Sequence, residues 1–272
     1  MIEVGCFKSG DNRLSYSCAI PNGALAETGI IFVHAADGNR LGPHRMFVEL
    51  ANRYDHLGYP TLRFDLTGCG DSTGTVSPND INGEVRDVVG ACRFFINKAD
   101  LTGVILLGIS RGARVCYSAM VDHEIPLDGM ILLSMPFSSS TTALKSFGTR
   151  LNEYFHKAKD TTRLRKMLRG KASLAGIWRT LAVALGLGKR YSKLAKKTFV
   201  SKCPLLFIYG GHDPVTEQSS RYYTDKCREQ ALQYDCHFIP QANHSFFHYK
   251  WKERIFDLSK QWLHQISNSA PK

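Results

Sequence analysis

The segment that most constrains the fold is residues 103–121, where an apolar run meets Gly108-Ile109-Ser110-Arg111-Gly112 and then changes to helical spacing. This pattern predicts a strand, a sharp turn and a helix, which we call the elbow. A serine at such a turn must adopt a strained backbone conformation, and the flanking glycines let strand and helix approach closely. The hydroxyl of Ser110 is thereby pushed out at the edge of a sheet, as a nucleophile requires.

A second segment, Gly70-Asp71-Ser72-Thr73-Gly74, fits the same five-residue pattern, so the pattern alone is weak evidence. Ser72 follows the apolar run 60–65 by seven residues, and Thr75-Val76-Ser77-Pro78 comes after it instead of a helical pattern. We therefore interpret Ser72 as a loop residue and Ser110 as the elbow serine.

Apolar runs and helical spacings alternate along most of the chain, which predicts an α/β fold with a mostly parallel eight-stranded sheet and helices on both faces. The predicted strands are two within 1–20 and then 29–34, 60–65, 103–109, 127–134, 203–209 and 234–239. The predicted helices are 44–57, 80–97, the elbow helix, 216–231 and a C-terminal helix with the apolar stripe Phe247, Trp251, Ile255, Leu258, Trp262 and Ile266.

Residues 139–200 break this alternation, because their pattern predicts basic helices, interrupted by glycines, between two strands of the sheet. We predict an α/β core over 1–138 and 201–272 and a helical cap inserted at 139–200. Between Lys145 and Lys197 there are 15 Lys and Arg against two acidic residues, a net +13. Since the whole chain carries +11, the rest carries −2.

The eight cysteines are scattered, with no CxxC pair and no metal-ligand spacing, which predicts mostly reduced core residues. The N-terminus lacks a basic start followed by an apolar stretch, so no signal peptide is expected and a cytoplasmic location is favoured. No metal or organic cofactor is implied by any motif.

Two residues after Ser110 have the chemistry that would activate its hydroxyl. An imidazole must take the serine proton, and a carboxylate must orient that imidazole. Asp213 follows the strand 203–209 and His244 follows the last strand, so both are expected at the carboxyl edge of the sheet with Ser110. Taken singly, the aspartate could be a turn residue, and the histidine could follow a strand by chance. Together and in this order, the two residues are a far more specific sign of a catalytic site. His212 and His248 are expected to be structural or surface residues.

The oxygen of a tetrahedral intermediate would need backbone N–H donors. The residue after the nucleophile supplies one, here Arg111, and the loop after the third strand supplies the other. In the sequence Val-His-Ala-Ala-Asp-Gly we choose Ala36, with Ala35 as the close competitor. We expect His34 to support this loop rather than to act as a base.

With the order serine, aspartate, histidine, the chain resembles the α/β-hydrolases. The segments Gly42-Pro-His-Arg-Met-Phe47 and Leu62-Arg-Phe-Asp-Leu-Thr-Gly-Cys-Gly-Asp-Ser72 resemble hydrolases that accompany the exosortase A system of exopolysaccharide-producing bacteria. Some members of that group carry cysteine at the elbow. The resemblance implies the fold and a triad of Ser110, Asp213 and His244. For His44, Arg45 and Asp71 it leaves open a structural or a catalytic role.

The predicted function is a serine hydrolase that cleaves a carboxylic ester or thioester through an acyl-Ser110 intermediate. Amide hydrolysis or acyl transfer would use the same residues, and a non-catalytic binding module on the same fold is the alternative from another class.

Within the predicted cap, the spacing of Leu174, Ile177, Trp178, Leu181 and Leu185 gives one apolar helical face. This face either roofs the Ser110 pocket and binds an apolar part of the substrate, or forms the cap's own small core. The stretch is too short and too interrupted to span a bilayer. A basic cap on an otherwise acidic chain would attract anionic partners: an acidic acyl carrier protein, an anionic lipid surface or an anionic saccharide. Nucleic acid is not expected, because no binding motif accompanies the charge.

Overall fold

The computed structural model of the chain describes residues 2–22, 27–35, 38–76, 81–122, 125–137 and 203–269. The strands are β1 (Ile2–Ser9), β2 (Asn12–Ala19), β3 (Thr28–Val33), β4 (Thr61–Phe64), β5 (Gly103–Ile109), β6 (Leu127–Leu133), β7 (Leu205–Gly210) and β8 (Tyr234–Ile239). The helices are α1 (Met46–His56), α2 (Ile81–Ala99), α3 (Arg111–Asp122), α4 (Thr216–Glu229) and α5 (Tyr249–Ser269), and a 3₁₀ turn, Pro43–Arg45, precedes α1. The predicted cap, 139–200, lies outside these residues.

All eight strands form one sheet in the order β1-β2-β4-β3-β5-β6-β7-β8. The pairs β1–β2 and β2–β4 are antiparallel, and every other pair is parallel. The predicted fold class, a mostly parallel eight-stranded sheet with helices, is therefore confirmed.

Helices cover both faces of the sheet and divide the core into two layers. Residues of α2, α3 and α4 pack on one face, and residues of α1 and α5 pack on the other. All seven residues of β5 are buried, as expected for a central strand covered on both faces. This rigid strand fixes the position of Ser110, which follows it directly.

The structure corrects the predicted start of the C-terminal helix. Phe247 and His248 precede α5, which begins at Tyr249, and Phe247 is half exposed instead of contributing to the apolar stripe. Phe246 is the buried aromatic residue at this point, and its φ of 49° interrupts the helical spacing that the sequence pattern assumed. The prediction that Phe247 belongs to the buried stripe is wrong.

All eight cysteines lie within the described residues as thiols, and six of them are buried. Burial raises the pKa of the Cys92 thiol to about 12 and that of Cys18 to about 11. Since a thiol must be deprotonated to act as a nucleophile, these two are inert at neutral pH.

Among the described helices, none has the length and apolar character needed to cross a bilayer.

Candidate active site

Ser110 occupies the strained turn that the sequence predicted. Its φ is 54°, in the left-handed region, and its backbone N–H donates to the carbonyl oxygen of Leu133 on the neighbouring strand at 2.8 Å. A Cβ atom at Gly112 would lie 2.2 Å from the carbonyl oxygen of Val33. The elbow helix therefore touches the end of β3 directly, and only glycine permits that contact.

We expect Gly112→Ala to destabilise the protein by roughly 1–3 kcal/mol, because its methyl group would collide with rigid backbone at the end of β3. Urea denaturation of the purified variant measures this change. Gly90→Ala, in the middle of α2, is the matched control, since a Cβ there meets nothing closer than 3.4 Å. Removing a mid-helix glycine should stabilise the control by about 0.5–1 kcal/mol. Equal effects of the two substitutions would contradict the packing argument.

Asp213 lies in the turn that follows β7. Its side chain is almost fully buried, and its Oδ1 accepts a hydrogen bond from the backbone N–H of Val215 at 3.2 Å. A Cβ at Gly211 would lie 2.2 Å from the carbonyl oxygen of Pro240, and the N–H of His212 donates to the carbonyl oxygen of Ala242 at 2.9 Å. These contacts hold the turn after β7 against the loop after β8, which carries His244.

His244 connects the other two residues. Its Nδ1 lies 2.5 Å from Oδ2 of Asp213, and its Nε2 lies 2.8 Å from Oγ of Ser110. Because the carboxylate can only accept, Nδ1 carries the proton and donates to Asp213, which leaves Nε2 to accept the serine hydroxyl. The side chain of Asp213 is 3% exposed and that of His244 is 41% exposed. The carboxylate is therefore shielded from water, whereas the imidazole is accessible to solvent.

Of the two predicted oxyanion donors, Arg111 is the first residue of α3, where a backbone N–H has no acceptor within the helix. Ala36 lies outside the described residues, whereas the carbonyl oxygen of the competitor Ala35 accepts the N–H of Gly38 at 2.8 Å. The Arg111 side chain is held in an ion pair by Glu84 of α2, with both Nε–O distances 2.9 Å. This contact fixes the residue after Ser110, and the sequence pattern did not predict it.

His34 has the supporting role that we expected. Its buried ring accepts the N–H of Leu66 at Nε2, at 3.0 Å, and its Nδ1 lies 2.5 Å from the carbonyl oxygen of Ala35. Nδ1 must therefore carry the proton, and neither ring nitrogen is available to act as a base.

The buried carboxylate of Asp65 anchors the chain that follows the loop after β3. Asp65 is fully buried and accepts the backbone N–H of Arg40 at 2.6 Å, that of Asp71 at 3.0 Å, and the guanidinium of Arg40. The guanidinium also pairs with the exposed Asp71 at 2.7 Å. The sequence reasoning missed Asp65. The only available signal was a lone acidic residue at the end of an apolar strand.

The other sequence candidates lie apart from the three hydrogen-bonded residues. Ser72 is a loop residue, as predicted: its Oγ donates to the carbonyl oxygen of Asp65 and accepts the N–H of Ser15. His212 is exposed, and the exposed His44 lies in the strained turn before α1 with a φ of 50°. The other left-handed residue there is Arg45, with a φ of 60°. The cap residues Leu174, Ile177, Trp178, Leu181 and Leu185 fall outside the described residues.

The arrangement can perform acyl transfer chemistry. A hydroxyl within hydrogen-bond reach of an imidazole, which is itself oriented by a buried carboxylate, is the constellation of an activated nucleophile. All three side chains project from turns at the carboxyl ends of β5, β7 and β8, the edge at which open α/β sheets bind ligands.

The chain is similar to known proteins in sequence and in fold. Over 209 residues the chain is 26% identical to lysophosphatidylserine lipase ABHD12 of Macaca fascicularis, covering 76% of this chain and 46% of that protein. The chain thus spans less than half the length of the curated relatives that it matches. An esterase of Pyrococcus furiosus has a similar fold, with a TM-score of 0.66, 19% identity, and coverage of 96% of this chain and 91% of that one.

Proline iminopeptidase of Mycobacterium smegmatis also shares the fold, with a TM-score of 0.66, 18% identity, and coverage of 99% of this chain and 100% of that one. At such identities these structures establish the fold alone. The model of the family described as "Alpha/beta hydrolase family" matches residues 30–258, which include all three hydrogen-bonded residues and most of the sheet. This chain therefore belongs to the alpha/beta hydrolase family.

Proposed function

We propose that the protein is a serine hydrolase that cleaves a carboxylic ester or thioester through an acyl-Ser110 intermediate. The observation that carries this proposal is the continuous hydrogen-bonded path from Ser110 Oγ through His244 to the buried carboxylate of Asp213. Chance would rarely bring these three residue types together from three separate strand ends.

In the first half-reaction, Oγ of Ser110 attacks the substrate carbonyl carbon while Nε2 of His244 takes the hydroxyl proton. The tetrahedral intermediate places its negative oxygen against backbone N–H groups, for which Arg111 and Ala36 are our candidates. Collapse breaks the bond to the alcohol or thiol, which leaves with the proton from Nε2. Water deprotonated by His244 then attacks the acyl-serine, and the acid product leaves as Ser110 recovers its proton.

The named activities of the related proteins support an ester more than another substrate class. One sequence relative is called a lysophosphatidylserine lipase, and a structural relative is called an esterase. The structural likeness to proline iminopeptidase keeps amide hydrolysis as the second candidate. Acyl transfer to an acceptor other than water would need only a different nucleophile in the second half-reaction.

A fluorophosphonate probe tests the nucleophile without knowledge of the substrate. We expect one adduct per chain, mapped by peptide mass spectrometry to Ser110, because Nε2 of His244 activates this hydroxyl. Ser72→Ala, which removes the serine of the second motif, should leave the adduct unchanged, whereas Ser110→Ala should abolish it. A folded wild-type protein that takes up no probe would favour the non-catalytic binding module.

We further propose that the enzyme belongs with the exosortase A system-associated hydrolases, acts in the cytoplasm or peripherally at a membrane, and uses its basic segment to dock an anionic partner. The resemblance at residues 42–47 and 62–72 supports the first point, and the +13 charge of residues 145–197 supports the last. The partner is an acidic acyl carrier protein, an anionic lipid surface or an anionic saccharide. At a lipid surface, each basic side chain would contribute about 1 kcal/mol.

Substitution of Arg163, Arg165, Lys166 and Arg169 by glutamine tests this docking. We expect slower hydrolysis of a carrier-bound or vesicle-presented ester, an unchanged rate on a small neutral ester, and the same selective loss in the wild type at raised salt. The small ester is the internal control for folding. Equal rates of variant and wild type on both substrates would remove the docking role.

A further inference from the structure

An aromatic patch lies at the surface where α5 begins. Its five rings contact one another in sequence, with the centroids of neighbouring rings 4.8–6.4 Å apart, and they belong to His44, Phe247, His248, Tyr249 and Trp251. Phe247 is 51% exposed and Tyr249 is 57% exposed, so two large rings face water. Single exposed apolar side chains are ordinary, but a contiguous patch of them marks a surface that binds another molecule.

Backbone strain accompanies the exposure of these rings. Phe246 has a φ of 49°, which a bulky side chain rarely adopts, and at this turn Phe246 enters the core while Phe247 faces outward. His44 is also left-handed, and its exposed ring lies edge-on to that of Phe247 at 6.1 Å. Left-handed residues other than glycine cost free energy and concentrate at functional sites. The fold thus maintains an exposed aromatic surface at the expense of a relaxed backbone.

A buried lysine joins the two segments that carry the aromatic patch, residues 41–49 and 247–254. Nζ of Lys252, in α5, donates to Oε1 of Glu49 at 2.5 Å and to the carbonyl oxygen of His44 at 3.4 Å. The ion pair therefore holds the turn before α1 against the first turn of α5. Because both segments are fixed in this way, the aromatic patch is formed before any partner binds.

The charged side chains around the aromatic patch are mostly cationic. Arg45, Lys250 and Arg254 are exposed and form no ion pair with any residue that the structure describes. The two carboxylates of these segments, Glu49 and Glu253, each have a cationic partner. The surface around the rings therefore presents positive charge that no neighbouring carboxylate compensates.

We propose that the aromatic patch docks the protein on an anionic lipid bilayer, with Phe247 and Tyr249 inserted among the headgroups. Aromatic side chains favour the interface of a bilayer, and basic side chains beside them add attraction to anionic lipids. Lys250 and Arg254 are four residues apart in α5, so they project from the same side of the helix towards lipid phosphates. Lysine is depleted at protein–protein interfaces, which favours a bilayer over a protein partner.

The aromatic patch lies beside the candidate active site in the chain, since Phe247 follows His244 by three residues. It is separate in sequence from the basic segment 145–197, so it is a second and independent contribution to the peripheral membrane location proposed above. Binding to a bilayer needs no turnover, and this role is therefore independent of the proposed hydrolysis.

The fluorescence of Trp251 tests the docking directly. Trp251 belongs to the aromatic patch, whereas Trp262 is 2% exposed in the core, and Trp178→Phe removes the third tryptophan. We use this variant with Ser110→Ala, so that no lipid is hydrolysed. Vesicles of phosphatidylcholine and phosphatidylglycerol with bromine atoms on the upper part of the acyl chains should quench Trp251, because insertion brings the indole close to the bromines.

Co-sedimentation with the same vesicles, without bromine, measures the contribution of each group. Phe247→Ala/Tyr249→Ala should weaken binding at least tenfold. Phe238→Ala is the matched control, because Phe238 is also 51% exposed but stacks on the opposite face of the sheet, and it should bind as the wild type does. Lys250→Gln/Arg254→Gln should weaken binding several-fold to vesicles that contain phosphatidylglycerol and leave binding to pure phosphatidylcholine unchanged.

Vesicle binding without quenching of Trp251, absence of vesicle binding, or equal losses in the patch variant and in Phe238→Ala would each overturn the proposal. Self-association without lipid that the patch variant abolishes would assign the surface to a second copy of the chain and would also overturn it. Urea denaturation shows that the variants are folded. None of these results affects the assignment of Ser110, which the phosphonate adduct tests separately.

Discussion

Ser110→Ala is expected to lower kcat on a short acyl p-nitrophenyl ester by roughly 10⁴–10⁶-fold, because it removes the hydroxyl of the proposed nucleophile. The alanine has no hydroxyl for Nε2 of His244 to activate, so the residual rate comes from substrate binding and the oxyanion donors alone. Asp213→Asn is expected to lower kcat by roughly 10⁴-fold, since the buried amide no longer holds the imidazole in the required tautomer.

The double variant Ser110→Ala/Asp213→Asn makes the test sharper. Members of a triad act as one unit, so the double variant should be no slower than Ser110→Ala alone. If the loss of kcat in the double variant equalled the product of the two single losses, Asp213 would act independently of Ser110. A Ser110→Ala enzyme with wild-type turnover would exclude this serine as the nucleophile.

Asp65→Ala is expected to destabilise the protein by about 3–5 kcal/mol in urea denaturation, since it removes the fully buried partner of the ion pair with Arg40. The substitution leaves the N–H groups of Arg40 and Asp71 without their acceptor and deprives the Arg40 guanidinium of its interior partner. Turnover should also fall in the variant that remains folded, because Arg40 fixes the chain that follows the candidate oxyanion loop.

Asp71→Ala is the matched control, because Asp71 pairs with the same guanidinium but its side chain is 72% exposed. An exposed pair of this kind contributes at most about 1 kcal/mol. If the two variants unfolded at the same urea concentration, burial would not be the source of the stabilisation and Asp65 would not be the anchor of this loop.

The contrast between Asp65 and Ser110 shows which parts of the site a sequence can reveal. Ser110, Asp213 and His244 each follow a buried strand closely, and parallel strands end at a common edge, so their proximity follows from local patterns and sheet topology. Asp65 also follows a buried strand, but its partner Arg40 lies in a loop without a periodic pattern, so the contact between them could not be predicted.

The error at Phe247 has a similar cause. Periodicity assumes one regular helix, but the positive φ of Phe246 turns the chain just before Tyr249 and changes which aromatic side chain enters the core. The close approach between Gly211 and Pro240 could not be predicted either, since two adjacent glycines indicate a turn but not what the turn touches.

The ladder between β6 and β7 divides the three hydrogen-bonded residues into two groups. Four residue pairs, from Met130↔Leu205 to Leu133↔Ile208, join the strands that precede the basic segment to those that follow it. Ser110 lies on one side of this seam, and both Asp213 and His244 lie on the other. The seam closes a chain of about 70 residues, so its formation carries a loop-closure cost that local contacts do not. We therefore expect enzyme activity to be acquired late in folding, when the C-terminal strands dock, so that refolding followed by enzyme activity lags behind refolding followed by helix content.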